Sequence, residues 1–226
     1  MTKKILIFIS ILFFTQANCQ FKGKKILAIF SHPDDEQTIA PILVKYADLG
    51  VSVDLVICTD GRYGVNQYNN YKAGEELVEI RKNEMKCAAN KLGVNLIHLN
   101  YHDQLKAREG FDGHIPHVRK LILELKELIE LSEPDVIITW GPDGGTNHLD
   151  HRLVSTSVTQ VFLSKEWNKE ISLYYYGTPN HFIKDKKNQT LRGQEKKYLT
   201  TEISFNDNHF KIAYDALLCH ESQYPK

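Results

Sequence analysis

The 226-residue chain predicts an α/β domain of the Rossmann-like, three-layer kind with a mainly parallel sheet. Two observations carry this. Short apolar runs alternate with segments of helical periodicity from Lys24 onward, and the chemistry-bearing residues cluster just after the apolar runs. Strand–helix alternation implies a parallel sheet covered on both faces. Right-handed crossovers then gather the strand-to-helix loops at the carboxyl ends of the strands, where open α/β sheets bind ligands.

Residues 25–30 (KILAIF) read as a short buried strand, followed by a helix near 37–49 that stops at Gly50. Residues 52–59 (SVDLVICT) form the second strand, and 75–92 a helix ended by Gly93. A third strand covers 94–100. The helix over 117–131 has the clearest period, with Val118, Leu121, Ile122, Leu125, Leu128 and Ile129 on one face. Residues 135–140 (DVIITW) form the fourth strand, 151–163 a helix and 171–176 the fifth strand. The loops expected at the active edge are therefore 31–36, 60–74, 101–116 and 141–150. Residues 184–197 are polar and read as a mobile surface loop; the sequon at Asn188 receives no function.

Lysine plus arginine equals aspartate plus glutamate, 28 against 28, with no basic stripe. That balance argues against nucleic acid as a partner and suits a neutral sugar or other small molecule. Residues 1–19 read as a secretory signal peptide: Lys3 and Lys4, an apolar run from Ile5 to Phe14, then a short, more polar stretch with small residues at Ala17 and Cys19. The run is too short to span a bilayer, so the mature chain, 20–226, is expected to be exported as a single domain without a membrane span. Lipidation of Cys19 is the alternative. The remaining cysteines, Cys58, Cys87 and Cys219, lie at long, irregular spacing that matches neither a disulfide framework nor a zinc ribbon, and read as small buried residues.

The first loop, Ser31-His32-Pro33-Asp34-Asp35-Glu36, is difficult to explain by folding alone. Adjacent carboxylates at a sheet edge repel unless a cation compensates. Imidazole with carboxylate suits zinc or iron(II). The competing reading has Asp34 or Asp35 capping the next helix. The fourth loop adds His148, Asp150 and His151. On the helix that follows, His151 shares a face with Val154, Val158 and Phe162, so it points inward toward His32 and Asp35. Motifs for zincin proteases, dinucleotide binding and serine hydrolases are missing. Arg81 and Glu84 sit together on the apolar face of the second helix, either as a buried ion pair or as a substrate contact with its orienting acid.

These motifs resemble the PIG-L or LmbE-like N-acetylglucosaminyl deacetylases. The resemblance rests on His32-Pro-Asp-Asp-Glu36, Arg81-x-x-Glu84, Asn147-His148-x-Asp150-His151 and His220-Glu-Ser-Gln223, which together span nearly all of the mature chain. Leu149 departs from the proline common in the family. The resemblance implies zinc-dependent hydrolysis of the N-acetyl amide of a GlcNAc-type sugar, with iron(II) or another divalent ion as the alternative metal. It further implies His32, Asp35 and His151 as metal ligands, Asp34 as general base and a protonated His148 as oxyanion stabiliser, with Asp150 holding His148. Arg81 and Asp103 become candidate substrate contacts, although Asp103 reads equally as an exposed loop carboxylate, and His220 reads chiefly as packing. The rivals are amide or ester hydrolysis on a non-sugar and an inactive glycan-binding module.

Overall fold

The computed structural model describes residues 23–224; the signal-peptide reading and Cys19 fall outside them. Five parallel strands, β1 (Lys25–Phe30), β2 (Ser52–Thr59), β3 (Asn95–Tyr101), β4 (Val136–Trp140) and β5 (Ser172–Tyr176), lie in the order β3-β2-β1-β4-β5. β1 is central, pairing Ile26 with Val53 on one side and with Val136 on the other. Strand order reverses between β1 and β4, and such a switch point opens a crevice beyond the carboxyl ends. The loops after these two strands are the two that carry the imidazole–carboxylate motifs.

Side chains alternate across β1. Ile26, Ala28 and Phe30 join a core with the helices α1 (Ala40–Asp48), α2 (Glu75–Leu92) and α6 (Asp207–Leu217). Leu27 and Ile29 face the opposite core, with α3 (Gly110–Ser132) and α4 (Leu149–Leu163). This is the predicted three-layer fold, and its buried strands have the near-continuous apolar character that two-sided burial requires. Among the described residues, no helix is long and apolar enough to cross a membrane.

Three expectations are corrected. The first predicted helix is split into a 3-10 turn, Asp35–Thr38, and α1, because Pro41 sits in the first turn of α1, where its missing N–H costs nothing. The polar 184–197 segment contains the short helix α5 (Lys186–Arg192), whose first turn is capped by the Asp185 carboxylate accepting from Lys187 N at 3.0 Å. Cys87 and Cys219 are not isolated buried thiols; they form a disulfide across 132 residues, while Cys58 stays free and buried. α2 and α6 pack side by side on one face of the sheet, which brings the two cysteines to a Cα separation of 5.8 Å, within the ordinary disulfide range.

A cross-link closing so long a loop restricts the unfolded chain strongly. Cys87→Ser should therefore lower stability by roughly 2–5 kcal/mol. Thermal unfolding with and without reductant checks this: wild type should fall toward the variant on reduction, and a variant as stable as the oxidised wild type would refute the link.

Candidate metal centre

His32 and Asp35 lie in the loop after β1, and His151 in the first turn of α4 after β4, so adjacent central strands deliver all three to one place. His32 Nδ1 lies 3.1 Å from His151 Nε2, and His151 Nε2 lies 3.2 Å from Asp35 Oδ1. Asp35 Oδ2 is 3.6 Å from His32 Nδ1. All three residues are buried.

The other polar atom of each side chain is occupied. His32 Nε2 faces Asp150 Oδ2 at 3.0 Å and Asp103 Oδ1 at 3.1 Å, so its proton belongs on Nε2 and its Nδ1 lone pair is left for the centre. His151 Nδ1 faces the Gly144 carbonyl at 2.9 Å and Thr146 Oγ1 at 3.0 Å, which leaves Nε2. Asp35 Oδ2 accepts from Ser31 N, His32 N and, at 3.3 Å, Trp140 Nε1, which leaves Oδ1. Two imidazole nitrogens and one carboxylate oxygen thus converge with free lone pairs. Histidines oriented by carboxylates and carbonyls are the pattern that holds a divalent ion, and three protein ligands leave a position open. The residues fit a metal.

The electrostatics agree. Burial on its own would lower the His32 imidazole, but Asp35, Asp103 and Asp150 outweigh it and hold His32 well above the ordinary range. Burial likewise opposes ionisation of Asp35, yet His151 and His32 keep its carboxyl well below the usual value. The centre draws positive charge. Two groupings of three potential ligands, with atoms within 4.8 Å of one another, share His32, one with His148 and His151 and one with Asp103 and Asp150. The second also makes protein contacts: Asp103 accepts from Thr59 Oγ1 at 3.2 Å and Tyr63 N at 3.0 Å, and Asp150 Oδ2 from Gln104 N at 2.8 Å, while Asp150 Oδ1 is buried without a hydrogen-bond partner.

Asp34 sits on the rim at a φ of 100°, a strained conformation for a residue with a side chain. Arg81 holds it there. The guanidinium donates to Asp34 Oδ1 at 3.0 Å, to the Pro33 carbonyl and to the Gly61 carbonyl. A Cβ at Gly61 or Gly64 would overlap that guanidinium and displace it, and Gly61 also has a φ of +66° that side chains disfavour, so glycine at these positions lets the β2–α2 loop close over Arg81 as it stands. Burial pushes the Asp34 carboxyl up to about 6 against the pull of Arg81, with Asp35 adding to the rise. His148 is the exposed N-cap of α4, and its Nδ1 accepts from Asp150 N at 3.3 Å, which puts the ring proton on Nε2. Burial of its ring nitrogens and the neighbouring His32 and His151 lower its pKa.

Several side chains make contacts other than those expected. Asp150 directs its carboxylate at His32 and meets His148 through its backbone N–H, because the helix turn at 148–150 points the side chain inward. Asp103, two residues after β3, is buried rather than exposed and directs its carboxylate at His32. Arg81 is buried against the Asp34 loop instead of reaching outward. Glu84 does not pair with it and instead accepts from Ser222 N and Oγ, each at 2.7 Å. His220 is more than packing: its Nε2 lies 2.7 Å from Glu36 Oε1, with both side chains fully buried, and burial is outweighed by Glu36 in holding the imidazole above its ordinary range. Trp140 was not foreseen. Its ring stacks on His151 at 4.3 Å and 6° while its N–H reaches Asp35. Its position at the end of the apolar run before the His148 loop was the available sign.

Residues 27–162 match the PIG-L family, described as GlcNAc-PI de-N-acetylase. The chain is 32% identical over 144 residues to a 1D-myo-inositol 2-acetamido-2-deoxy-alpha-D-glucopyranoside deacetylase of Corynebacterium glutamicum, a match covering 57% of this chain and 49% of that protein. It is 29% identical to the mycothiol S-conjugate amidase of Streptomyces coelicolor, covering 88% of this chain and 82% of the relative. The fold is similar to that of N,N'-diacetylchitobiose deacetylase from Pyrococcus horikoshii, with a TM-score of 0.63, 24% identity, and coverage of 90% and 72%. The chain spans about half the length of curated relatives such as the first. With more than half of its sequence matched and the motifs of that match drawn together at one sheet edge, the chain belongs to the PIG-L family.

Proposed function

We propose that the protein is a metal-dependent N-deacetylase that hydrolyses the acetamide of a GlcNAc-type sugar and releases acetate. The observation that carries this reading is the set of three convergent atoms, His32 Nδ1, Asp35 Oδ1 and His151 Nε2, each freed by a bond to the other side of its own residue. The relatives' deacetylase and amidase activities supply the bond type. We take the ion as zinc, since two imidazoles and a carboxylate are a zinc ligand set.

His32, Asp35 and His151 would hold a divalent cation, which would supply Lewis acidity and lower the pKa of water toward neutrality. The chain's own residues do the rest. Asp34 accepts the proton of the attacking water and returns it to the nitrogen as the C–N bond breaks. His148 donates its Nε2–H to the carbonyl oxygen as that oxygen gains charge. Arg81 fixes the carboxylate of Asp34, and Asp103 with Asp150 fixes the ring of His32.

We propose in addition that the protein acts outside the cytoplasm. Stable disulfides belong to oxidising compartments, and the Cys87–Cys219 bridge supports export.

Three outcomes are expected. His32→Ala, Asp35→Ala and His151→Ala should each lose the bound ion by elemental analysis, while Asp150→Asn should weaken its affinity roughly 10–100-fold; full occupancy in the three alanine variants would remove the ligand assignment. Asp34→Asn should keep the ion and lose about 100-fold or more in acetate release from N-acetyl sugars, and His148→Ala should keep it and lose about 100–1,000-fold. A fully active Asp34→Asn enzyme would defeat the mechanism, and no acetate from any N-acetyl sugar would defeat the activity. Protein recovered from the periplasm or medium should begin near Gln20; an intact Met1 on cytoplasmic protein would overturn export.

A further inference from the structure

Asp34 keeps its strained backbone under two restraints. Arg81 takes its carboxylate from outside the loop, and the loop itself supplies the other: Asp34 N donates to Glu36 Oε2 at 3.0 Å. Glu36 is fully buried, and its second oxygen, Oε1, faces His220 Nε2 and Gln37 Nε2, each at 2.7 Å. The acceptor that fixes the Asp34 N–H is thus itself fixed by a residue 184 positions further along the chain.

Packing alone does not account for His220. Its side chain is fully buried, yet Nδ1 has no hydrogen-bond partner among the described residues. A half-satisfied imidazole costs more in a core than a leucine at the same place. What the ring contributes is its bond to Glu36. The chain holds it there from both sides. Cys219, the preceding residue, is cross-linked to Cys87 of α2, and Ser222 N and Oγ donate to Glu84 of the same helix. Gln223 N and Tyr224 N close a turn on the His220 carbonyl at 3.0 and 3.1 Å. Helix α2 also carries Arg81. One helix therefore anchors both restraints on Asp34, the guanidinium directly and the Glu36 carboxylate through His220.

We propose that His220 is a positioning residue for hydrolysis: through Glu36 it fixes the backbone of Asp34, and with it the carboxylate that takes the proton of water. The inference rests on the deacetylase reading and extends its machinery to the C-terminal segment. The contribution is geometric. A reacting group displaced by about 1 Å can lose on the order of 100-fold in rate, so a restraint on the base acts on turnover more than on substrate binding.

The test replaces the pair as a unit. His220→Leu alone strands a buried carboxylate and invites misfolding, whereas Glu36→Leu with His220→Leu removes both polar groups, and an apolar pair can replace a buried ion pair without loss of stability. Thermal unfolding checks that the double variant is folded. It should keep as much bound ion as wild type and lose about tenfold to 100-fold in kcat for acetate release from N-acetylglucosamine, with KM changed by less than about twofold. His220→Gln, whose Nε2 donor takes the place of the imidazole N–H, should stay within about threefold of wild type. Exchange of the Asp34 N–H, followed by NMR, should be about tenfold or more faster in the double variant and unchanged in His220→Gln, while amides of β1 exchange as in wild type. A fully active double variant, a loss that appears in KM or in ion content, or a His220→Gln protein as impaired as the double variant would each overturn the positioning role while leaving deacetylation intact. Should wild type release no acetate, the deacetylase reading fails by itself and the Asp34 N–H decides: faster exchange in the double variant upholds the restraint, and wild-type exchange removes it.

Discussion

Five carboxylates, Asp35, Glu36, Asp60, Asp103 and Asp150, are buried at one edge of the sheet, with Asp34 on their rim, and the architecture around them is a set of answers to that charge. A buried carboxylate is costly unless paired or hydrogen-bonded. Asp35 is met by two backbone N–H groups, the Trp140 indole and two imidazoles; Glu36 by His220; Asp60 by Arg62 and by Asp103 N. Asp103 and Asp150 share His32. Asp150 Oδ1 is left without a hydrogen-bond partner, and the excess of carboxylate over imidazole at this edge is what would favour a cation there.

The order of the sheet makes the arrangement possible. Because β1 and β4 are neighbours and chain direction diverges after them, their loops can face each other without a connecting backbone filling the gap. His32 acts as the hinge between two groups, one nitrogen toward the ion's position and the other toward the carboxylates that orient it. Arg81 plays the matching part for Asp34. It holds a strained backbone and a carboxylate at once, and Gly61 and Gly64 pack against it from the opposite side.

The C-terminal segment closes the rear of the site. From the disulfide at Cys219, successive side chains grip Glu36, Glu84 and Gly64. The loop that carries the reactive groups is thus tied to α2, α6 and the β2–α2 loop together, which suits a reaction that depends on fixed positions more than on movement.

The sequence by itself determined the layer architecture and the identity of the central cluster. Period 2 against 3.6 is a local property, and so is the incompatibility of His32-Pro-Asp-Asp-Glu36 with an ordinary turn. Its inward-facing helical position identified His151 for the same reason. Tertiary structure alone decided which partner each charged group takes. Asp103, Asp150, Arg81 and Glu84 had plausible roles by motif, but their contacts lie across distances in sequence of 47 residues for Arg81 with Asp34 and 138 for Glu84 with Ser222. The Cys87–Cys219 pairing is of the same kind, since spacing along the chain does not say which helices lie side by side. Periodicity reports the environment of a residue, whereas an ion pair or a disulfide depends on where a second, distant backbone is placed.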